Sequence, residues 1–240
     1  MSPKRQKAIF FDLMGTCCDW LSSLLPLIST LPPHPLISTP SRQRALALTW
    51  RAAFFAEIHA RHARGEPPED IDVTHRRILK ERGIAPDEHG WAPHLRDQLV
   101  AQWHVQTPWS DVIPALEKLR ADATTTWFLV VLANGTMRLQ LDIAASSAIP
   151  FHTLLSSELL GCTKPGPEIY REAMRLVRLP AEDCVMLASH LYDLEAAKKV
   201  GMTTVYVHRD TEDVGIEIGI ESCKNEGAHG FVDLYVDGRE

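Results

Sequence analysis

The chain has 240 residues, of which 45% are hydrophobic and 23% are charged, values typical of a globular protein. Its formal net charge of −6 argues against a nucleic acid or an anionic membrane surface as partner, since both repel an acidic protein. The five cysteines include no CxxC pair, which favours a reducing, cytoplasmic compartment over a disulfide framework or a zinc site.

The first predicted element is a strand at residues 8–13, where a short apolar run contains Asp12 near its end. Its brevity and its acid predict a strand and not a signal peptide. A continuous apolar run is typical of a strand that is buried on both faces of a parallel sheet. No apolar stretch of the chain reaches the roughly 18 residues that a membrane helix needs.

The next part of the chain, up to about residue 106, shows helical patterns and no strand pattern. Residues 20–40 are rich in Pro, Ser and Leu, and we expect their end to be irregular. Thr39 and Pro40 predict the start of a long helix, because they supply a cap residue and a first-turn proline. The apolar stripe of this helix recurs every four residues, at Leu46, Trp50, Phe54 and Ile58. Residues 65–68 (GEPP) break it, and two further helices are predicted around 73–82 and 92–104.

After Pro108 the pattern alternates between helices and buried strands. The predicted elements are a helix at 111–120, a strand at 126–132, a helix at 167–179, strands at 185–188 and 204–207, and a weaker strand at 231–235. Such alternation predicts an α/β fold with a doubly wound (Rossmann-like) parallel sheet. We therefore predict a core of residues 1–18 and 107–240, with a helical cap of residues 19–106 inserted after the first strand.

Polar residues follow three of the predicted strands. Ligands bind at the carboxyl ends of the strands in open parallel sheets, so these residues are candidates for a functional site. They are Asp12 and Thr16 after the first strand, Asn134 after the second, and Ser189, His190 and Asp193 after the third. Lys164 is a further candidate, in the loop Lys-Pro-Gly-Pro.

The order of these residues resembles that of the haloacid dehalogenase superfamily. The segments that carry the resemblance are 11–16 (FDLMGT), 133–135 (ANG), 164–170 (KPGPEIY) and 188–193 (ASHLYD). Residues 42–50 (RQRALALTW) look like the first cap helix of the 2-haloacid dehalogenases, in which an arginine precedes a leucine and a Thr-Trp pair. The resemblance covers almost the whole chain.

The resemblance implies a hydrolase that removes halide from short 2-haloalkanoic acids without a metal or other cofactor. Asp12 would form an aspartyl ester with the substrate, which splits one difficult displacement into two easier steps. Lys164 would keep Asp12 ionised through its opposite charge, and Thr16 would orient the carboxylate. Asp193, through Lys164 or a water molecule, would help to hydrolyse the ester.

The implied substrate is a small anion. Arg42 would bind its carboxylate or the departing halide, because a guanidinium has a fixed charge and a fork of donors, and Asn134 would donate to the same ion. The other residues expected around the substrate are Met14, Tyr170, Ser189 and His190. Tyr170 could equally be a core aromatic residue, and His190 a solvated loop residue or a base for ester hydrolysis. The resemblance also makes a homodimer plausible.

Two alternatives stay open. Most members of the superfamily are magnesium-dependent phosphatases with a second aspartate, the general acid and base, two residues after the nucleophile. Met14 occupies that position here and cannot transfer a proton. Such a proton transfer contributes about 10²–10⁴-fold to the rate. The chain also departs from the dehalogenase pattern at Ala133 and Ala188, where those enzymes have serine, and at His190, where they have asparagine. A phosphatase, or a non-enzyme that binds an anion or a partner, therefore remains an alternative.

Overall fold

The computed structural model describes residues 4–67, 69–81, 91–220, 222–223 and 229–238. The chain divides into two compact units, one of residues 1–18 with 108–240 and one of residues 19–107. The predicted helix at 73–82 and the predicted break at 65–68 each end on a residue outside the described part.

The described residues form eight strands: β1 (Arg5–Phe11), β2 (Cys18–Asp19), β3 (Thr107–Pro108), β4 (Thr125–Ala133), β5 (Thr153–Ser156), β6 (Cys184–Ala188), β7 (Thr203–Val207) and β8 (Leu234–Val236). Six of them form one sheet in the order β5-β4-β1-β6-β7-β8, and β2 pairs with β3. Every neighbouring pair in the larger sheet is parallel. The strand order reverses at β1, which is where open α/β sheets bind their ligands.

The described helices surround this sheet or make up the second unit. They are α1 (Trp20–Thr30), α2 (Pro40–Ala63), α3 (Ile71–Glu81), α4 (Pro93–Gln102), α5 (Val112–Arg120), α6 (Met137–Ser147), α7 (Ser157–Leu160), α8 (Pro167–Val177) and α9 (Leu191–Lys199). No helix of the described residues combines the length and the hydropathy needed to cross a membrane.

The central strand β1 explains the apolar run at the start of the chain. Phe10 pairs with Val130 of β4 on one side and with Met186 of β6 on the other, and all three residues are buried. A strand covered on both faces must be apolar throughout. β1 ends at Phe11, one residue before Asp12, so the predicted strand of residues 8–13 was two residues too long at this end.

Some elements of the sheet unit were missed or misplaced. No element was predicted at residues 137–147, 153–156 or 191–199, where α6, β5 and α9 lie. β5 has only four residues at the edge of the sheet, too few for a periodic pattern. The last strand begins at Leu234 and not at residue 231, because Asp233 instead hydrogen-bonds Thr204 of β7 through its backbone N–H and its side chain.

The helix α2 begins as its sequence predicts. Thr39 Oγ1 accepts a hydrogen bond from the Arg42 N–H, and Pro40 is the first helical residue. Because the cap and the proline satisfy or remove backbone N–H groups that a helix start leaves unpaired, they favour this boundary. The predicted stripe faces inward: Leu46, Trp50 and Phe54 are buried and Ile58 is half-buried.

The second unit, formed by α1 to α4, has an aromatic core with two basic residues inside it. The ring of His75 stacks on Phe54 at 3.9 Å and on Trp103 at 4.5 Å. The guanidinium of buried Arg51 lies 5.7 Å from the ring centroid of Trp103, a cation–π contact. Burial and the charge of Arg51 hold the pKa of His75 well below its usual range, so its imidazole is neutral.

Candidate active site

Asp12 lies directly after β1 and is only 8% exposed. Its Oδ1 accepts a hydrogen bond from Lys164 Nζ at 3.1 Å, and its Oδ2 accepts one from Thr16 Oγ1 at 2.8 Å. The Nδ1 of His190 lies 3.2 Å from the same Oδ2. The Asp12 carboxylate is therefore fixed in place by three side chains that come from three separate parts of the chain.

Lys164 lies between two carboxylates. Its Nζ is 3.1 Å from Asp12 and 2.5 Å from Oδ2 of Asp193, and the side chain is almost completely buried. Asn134 holds the backbone at this point, because its Oδ1 accepts from the Lys164 N–H at 2.9 Å and its Nδ2 donates to the Lys164 carbonyl at 3.1 Å. In this structure Asn134 thus positions Lys164, and its expected contact with the substrate stays a prediction.

Asp193 is fully buried in the first turn of α9, where the helix N-terminus favours negative charge. Its Oδ2 accepts from Lys164, and its Oδ1 accepts from the Tyr170 hydroxyl at 2.6 Å. Tyr170 is itself fully buried on α8. The structure places Tyr170 behind Asp193 as a buried hydrogen-bond donor.

The charges of the cluster set the protonation of Asp12. Burial raises its pKa, but the charge of Lys164 and the hydrogen bond from His190 outweigh burial and hold the pKa of Asp12 far below its usual range. Burial lowers the pKa of Lys164, yet the two aspartates raise it above its usual value. Burial and the charge of Asp12 raise the pKa of Asp193 in spite of Lys164. Asp12 is therefore ionised beside a protonated lysine, the state that a carboxylate nucleophile needs.

His190 joins Asp12 to a second acid, Glu212. The Nε2 of His190 lies 2.7 Å from Glu212 Oε2, and both side chains are buried. Burial lowers the pKa of His190, but the hydrogen bonds to the two carboxylates and their charges raise it to about 10. Each ring nitrogen of the protonated imidazole therefore donates to a carboxylate.

Glu212 was not among the predicted site residues. It follows the strand β7 (Thr203–Val207) by a few residues. The rule that ligands bind at the carboxyl ends of the strands would have reached Glu212 if it had been applied to the fourth predicted strand as well as to the first three.

Three other predicted residues lie in different surroundings. The Ser189 hydroxyl donates to the Val207 carbonyl at 2.6 Å, so it ties β6 to β7. Met14 is half-buried in the turn after Asp12. Arg42 belongs to the second unit, where it is exposed and its Nη1 donates to the Pro35 carbonyl at 2.5 Å, and its contact with a substrate stays a prediction.

Arg209, also missed in the sequence, supports the turn that carries Thr16. Its Nε donates to the Thr16 carbonyl at 3.2 Å, and its Nη2 donates to both carboxylate oxygens of Asp111 at 2.9 and 3.1 Å. Its guanidinium also lies 5.0 Å from the centroid of a Trp109 ring. These contacts hold the backbone of Thr16 in place beside Asp12.

Gly15 makes the turn between Asp12 and Thr16 possible. Its φ of +89° is in the region that side chains disfavour. A Cβ added at this position would lie 2.4 Å from the carboxyl carbon of Glu212. The absence of a side chain at residue 15 therefore leaves room for the Glu212 carboxylate.

Gly15→Ala is expected to destabilise the protein by about 1–3 kcal/mol more than Gly215→Ala, the range for overpacking a buried site. Gly215 is a suitable control because its φ of +86° is close to that of Gly15 and nothing lies within 4 Å of an added Cβ. Backbone strain is common to both variants, so the difference in their free energies of unfolding in urea reports the clash with Glu212. Equal losses in the two variants would contradict this account.

A parallel sheet with a buried aspartate–lysine–aspartate cluster at its strand ends agrees with the predicted hydrolase fold. A family model described as haloacid dehalogenase-like hydrolase matches residues 6–201. The chain therefore belongs to the haloacid dehalogenase-like hydrolases, and the predicted family and fold are confirmed.

The chain is similar to dehalogenases and to a phosphatase. The (S)-2-haloacid dehalogenase 2 of Pseudomonas sp. (strain CBS-3) is 24% identical over 207 residues, which are 85% of this chain and 84% of that protein. The crystal structure of the L-2-haloacid dehalogenase PA0810 has a TM-score of 0.75 and 29% identity, and the match covers 96% of this chain and 94% of that one. The glyceraldehyde 3-phosphate phosphatase of Methanopyrus kandleri is 32% identical over 153 residues, 59% of each chain.

Proposed function

We propose that this hydrolase removes halide from short 2-haloalkanoic acids, with Asp12 as the nucleophile. The observation that carries the proposal is the buried pair in which Lys164 Nζ lies 3.1 Å from Asp12 Oδ1. An ionised carboxylate that is held in one orientation can attack a carbon atom and leave again as an ester. The similarity to two 2-haloacid dehalogenases over most of the chain supports the choice of substrate.

The reaction has two steps. A carboxylate oxygen of Asp12 attacks the Cα of the substrate, and the carbon–halogen bond breaks so that halide leaves with the electron pair. Water then attacks the carboxyl carbon of the resulting ester, and the bond from that carbon to the substrate oxygen breaks. One proton of the water goes to the departing oxygen of the 2-hydroxy acid, and the other is released when Asp12 returns to a carboxylate.

The surroundings of Asp12 suit the first step. Thr16 and His190 hold Oδ2 while Lys164 holds Oδ1, so the carboxylate cannot rotate freely. Restricting a reacting group in this way lowers the entropy cost of the attack. We propose that Arg42 binds the substrate carboxylate or the departing halide, and that Asn134 donates to the same ion. Met14 would line the pocket, and the helical unit would act as a cap.

A phosphatase is the second candidate, because the chain is similar to glyceraldehyde 3-phosphate phosphatase. Magnesium prefers oxygen ligands, and Asp12 and Asp193 are the acids beside Lys164. Both oxygens of Asp193 accept hydrogen bonds, and so do both oxygens of Asp12. The cation between the two acids is the Lys164 ammonium. Mg²⁺ usually binds to one or two carboxylates and keeps several waters, so Asp12 and Asp193 would hold the ion if the phosphatase candidate applies.

Met14 also favours the dehalogenase. It lies two residues after Asp12, at the position where the phosphatases of the superfamily have their general acid. A thioether cannot protonate the alkoxide that leaves a phosphate ester. Without this proton transfer, phosphate-ester hydrolysis would be slower by about 10²–10⁴-fold. Halide is a weak base and leaves without a proton, so a methionine costs nothing in the dehalogenation step.

The decisive measurement compares the two chemistries on the same protein. We expect chloride release from L- or D-2-chloropropionate in the presence of a chelator, and the preferred isomer gives the stereochemistry. Hydrolysis of an aryl phosphate that depends on added Mg²⁺, without chloride release, would replace the dehalogenase with the phosphatase. Failure on both substrates would favour the non-enzyme that binds an anion or a partner.

A further inference from the structure

Glu212 is a buried acid that neither step above uses. The side chain is 1% exposed, and its Oε2 lies 2.7 Å from His190 Nε2. Its other oxygen, Oε1, accepts from the Thr211 hydroxyl at 3.2 Å. A carboxylate that is buried so completely is costly unless it is paired, and His190 is the cation that pairs with it.

The three residues form a continuous chain of hydrogen bonds. Asp12 Oδ2 lies 3.2 Å from Nδ1 of His190, and Nε2 of the same ring lies 2.7 Å from Glu212. In many enzymes a histidine lies next to the nucleophile, and a third group orients that histidine. The histidine then moves a proton to or from the reacting atom. Here the nucleophile is a carboxylate, so the histidine has no proton to remove in the first step and is available for the second.

Gly15 supplies an independent observation. An added Cβ at this residue would lie within 2.7 Å of both carboxylate oxygens of Glu212. The turn that follows the nucleophile is therefore shaped around the carboxylate that pairs with His190.

We propose that Glu212 is a positioning residue that holds His190 with Nδ1 towards Asp12, and that His190 carries the protons in the hydrolysis of the aspartyl ester. This inference rests on the proposed dehalogenase function. The hydrogen bond at one ring nitrogen decides which nitrogen carries the proton. Because Glu212 accepts at Nε2, the neutral ring keeps its proton there and presents the lone pair of Nδ1 to the ester.

The protons balance over the cycle. When Asp12 becomes a neutral ester, the negative charge beside Nδ1 disappears, and the imidazolium loses its Nδ1 proton to solvent. Nδ1 then takes a proton from water as the water oxygen bonds to the ester carbon, and it gives that proton to the departing alkoxide. The Asp12 carboxylic acid that remains transfers its proton to Nδ1, which restores the starting pair. One proton and one halide leave per turnover.

The test separates the two steps with Glu212→Gln in rapid-quench reactions on L- and D-2-chloropropionate. We expect a chloride burst close to one per enzyme at a rate within about threefold of wild type. Steady-state turnover should fall by about 10–100-fold, the effect of losing a hydrogen bond to a charged group. The esterified enzyme should then accumulate and be visible by intact-protein mass spectrometry. Asp210→Asn, an exposed acid of the same loop, should leave both steps unchanged.

The outcomes distinguish this inference from the proposed function. If wild type releases no chloride from either isomer, the dehalogenase function fails. If wild type releases chloride but Glu212→Gln slows both steps equally without accumulating ester, the role of Glu212 and His190 is overturned. Should Glu212→Gln not fold, the double variant His190→Gln with Glu212→Gln removes both charges together, and it should accumulate the same ester.

A second readout does not depend on turnover. In the ¹⁵N–¹H NMR spectrum of the wild type, the Nε2 proton of His190 should resonate far downfield because of its short bond to Glu212, and it should move upfield in Glu212→Gln. A wild-type spectrum without this signal would overturn the positioning role.

Discussion

Asp12→Asn should lower chloride release from 2-chloropropionate by on the order of 10⁴-fold or more, as removal of a nucleophile does in other enzymes with covalent intermediates. The asparagine side chain has almost the same shape as aspartate, and its Oδ1 can still accept from Lys164 or Thr16. Its neutral amide is a poor nucleophile. Chloride release measured under single-turnover conditions, with chelator present, tests the prediction.

The same substitution should also destabilise the protein at neutral pH. The buried cluster contains three acids, Asp12, Asp193 and Glu212, and two cations, Lys164 and His190. Lys164 and His190 hold the pKa of Asp12 far below its usual range, so the ionised carboxylate stabilises the folded state at neutral pH. Its neutral replacement loses that contribution, and the free energy of unfolding in urea should fall. Asp210→Asn is the control for an exposed acid. Retained chloride release in Asp12→Asn would rule out Asp12 as the nucleophile.

Lys164→Met should lower both activity and stability. Removing one member of a buried ion pair typically costs about 3–5 kcal/mol, because the remaining charge is left unpaired. Without the ammonium, Asp12 and Asp193 face each other, and two like charges in one site raise a carboxylate pKa. In a fraction of the molecules Asp12 is then protonated at neutral pH. We expect turnover to fall by at least about 10²-fold, because less of the nucleophile is ionised and its carboxylate is no longer held in one orientation.

Urea unfolding and chloride release at two pH values test this second prediction. The acids of the variant have raised pKa values in the folded state, so its stability deficit is largest at pH 8 and shrinks as the pH falls and they bind a proton. Lys198→Met is the matched control, because Lys198 pairs with Asp233 at the surface, where both side chains are more than one third exposed. A surface pair contributes about 0–1 kcal/mol. Equal losses in the two lysine variants would refute the role of Lys164.

Much of the site could be predicted because it depends on local sequence and on strand ends. The apolar run before Asp12 predicts a buried strand, and a carboxylate at its end must lie at the carboxyl edge of the sheet. The same reasoning brings the loop after β6, with Asp193, to that edge. The structure places Lys164 between the two acids, as the resemblance implies.

The partners of these residues could not be predicted in the same way. Tyr170 donates to Asp193, and Asn134 forms hydrogen bonds with the backbone N–H and carbonyl of Lys164. These contacts depend on how helices and loops pack over the sheet. Both residues were expected near the substrate. A sequence can indicate that a polar group is close to a site, but it does not show which neighbouring residue that group contacts. β5 was missed for a related reason, because an edge strand of four residues has too short a pattern to recognise.

The sequence by itself determined the doubly wound sheet, the helical insertion and the acid at the end of the first strand, since periodicity and strand ends are properties of contiguous residues. Only the tertiary structure decided that His190 lies between Asp12 and Glu212, which are 200 positions apart in the chain. The strand order brings β1, β6 and β7 side by side, so their loops meet at one edge. No spacing in the sequence encodes that meeting, because strand order is a consequence of how the whole sheet packs.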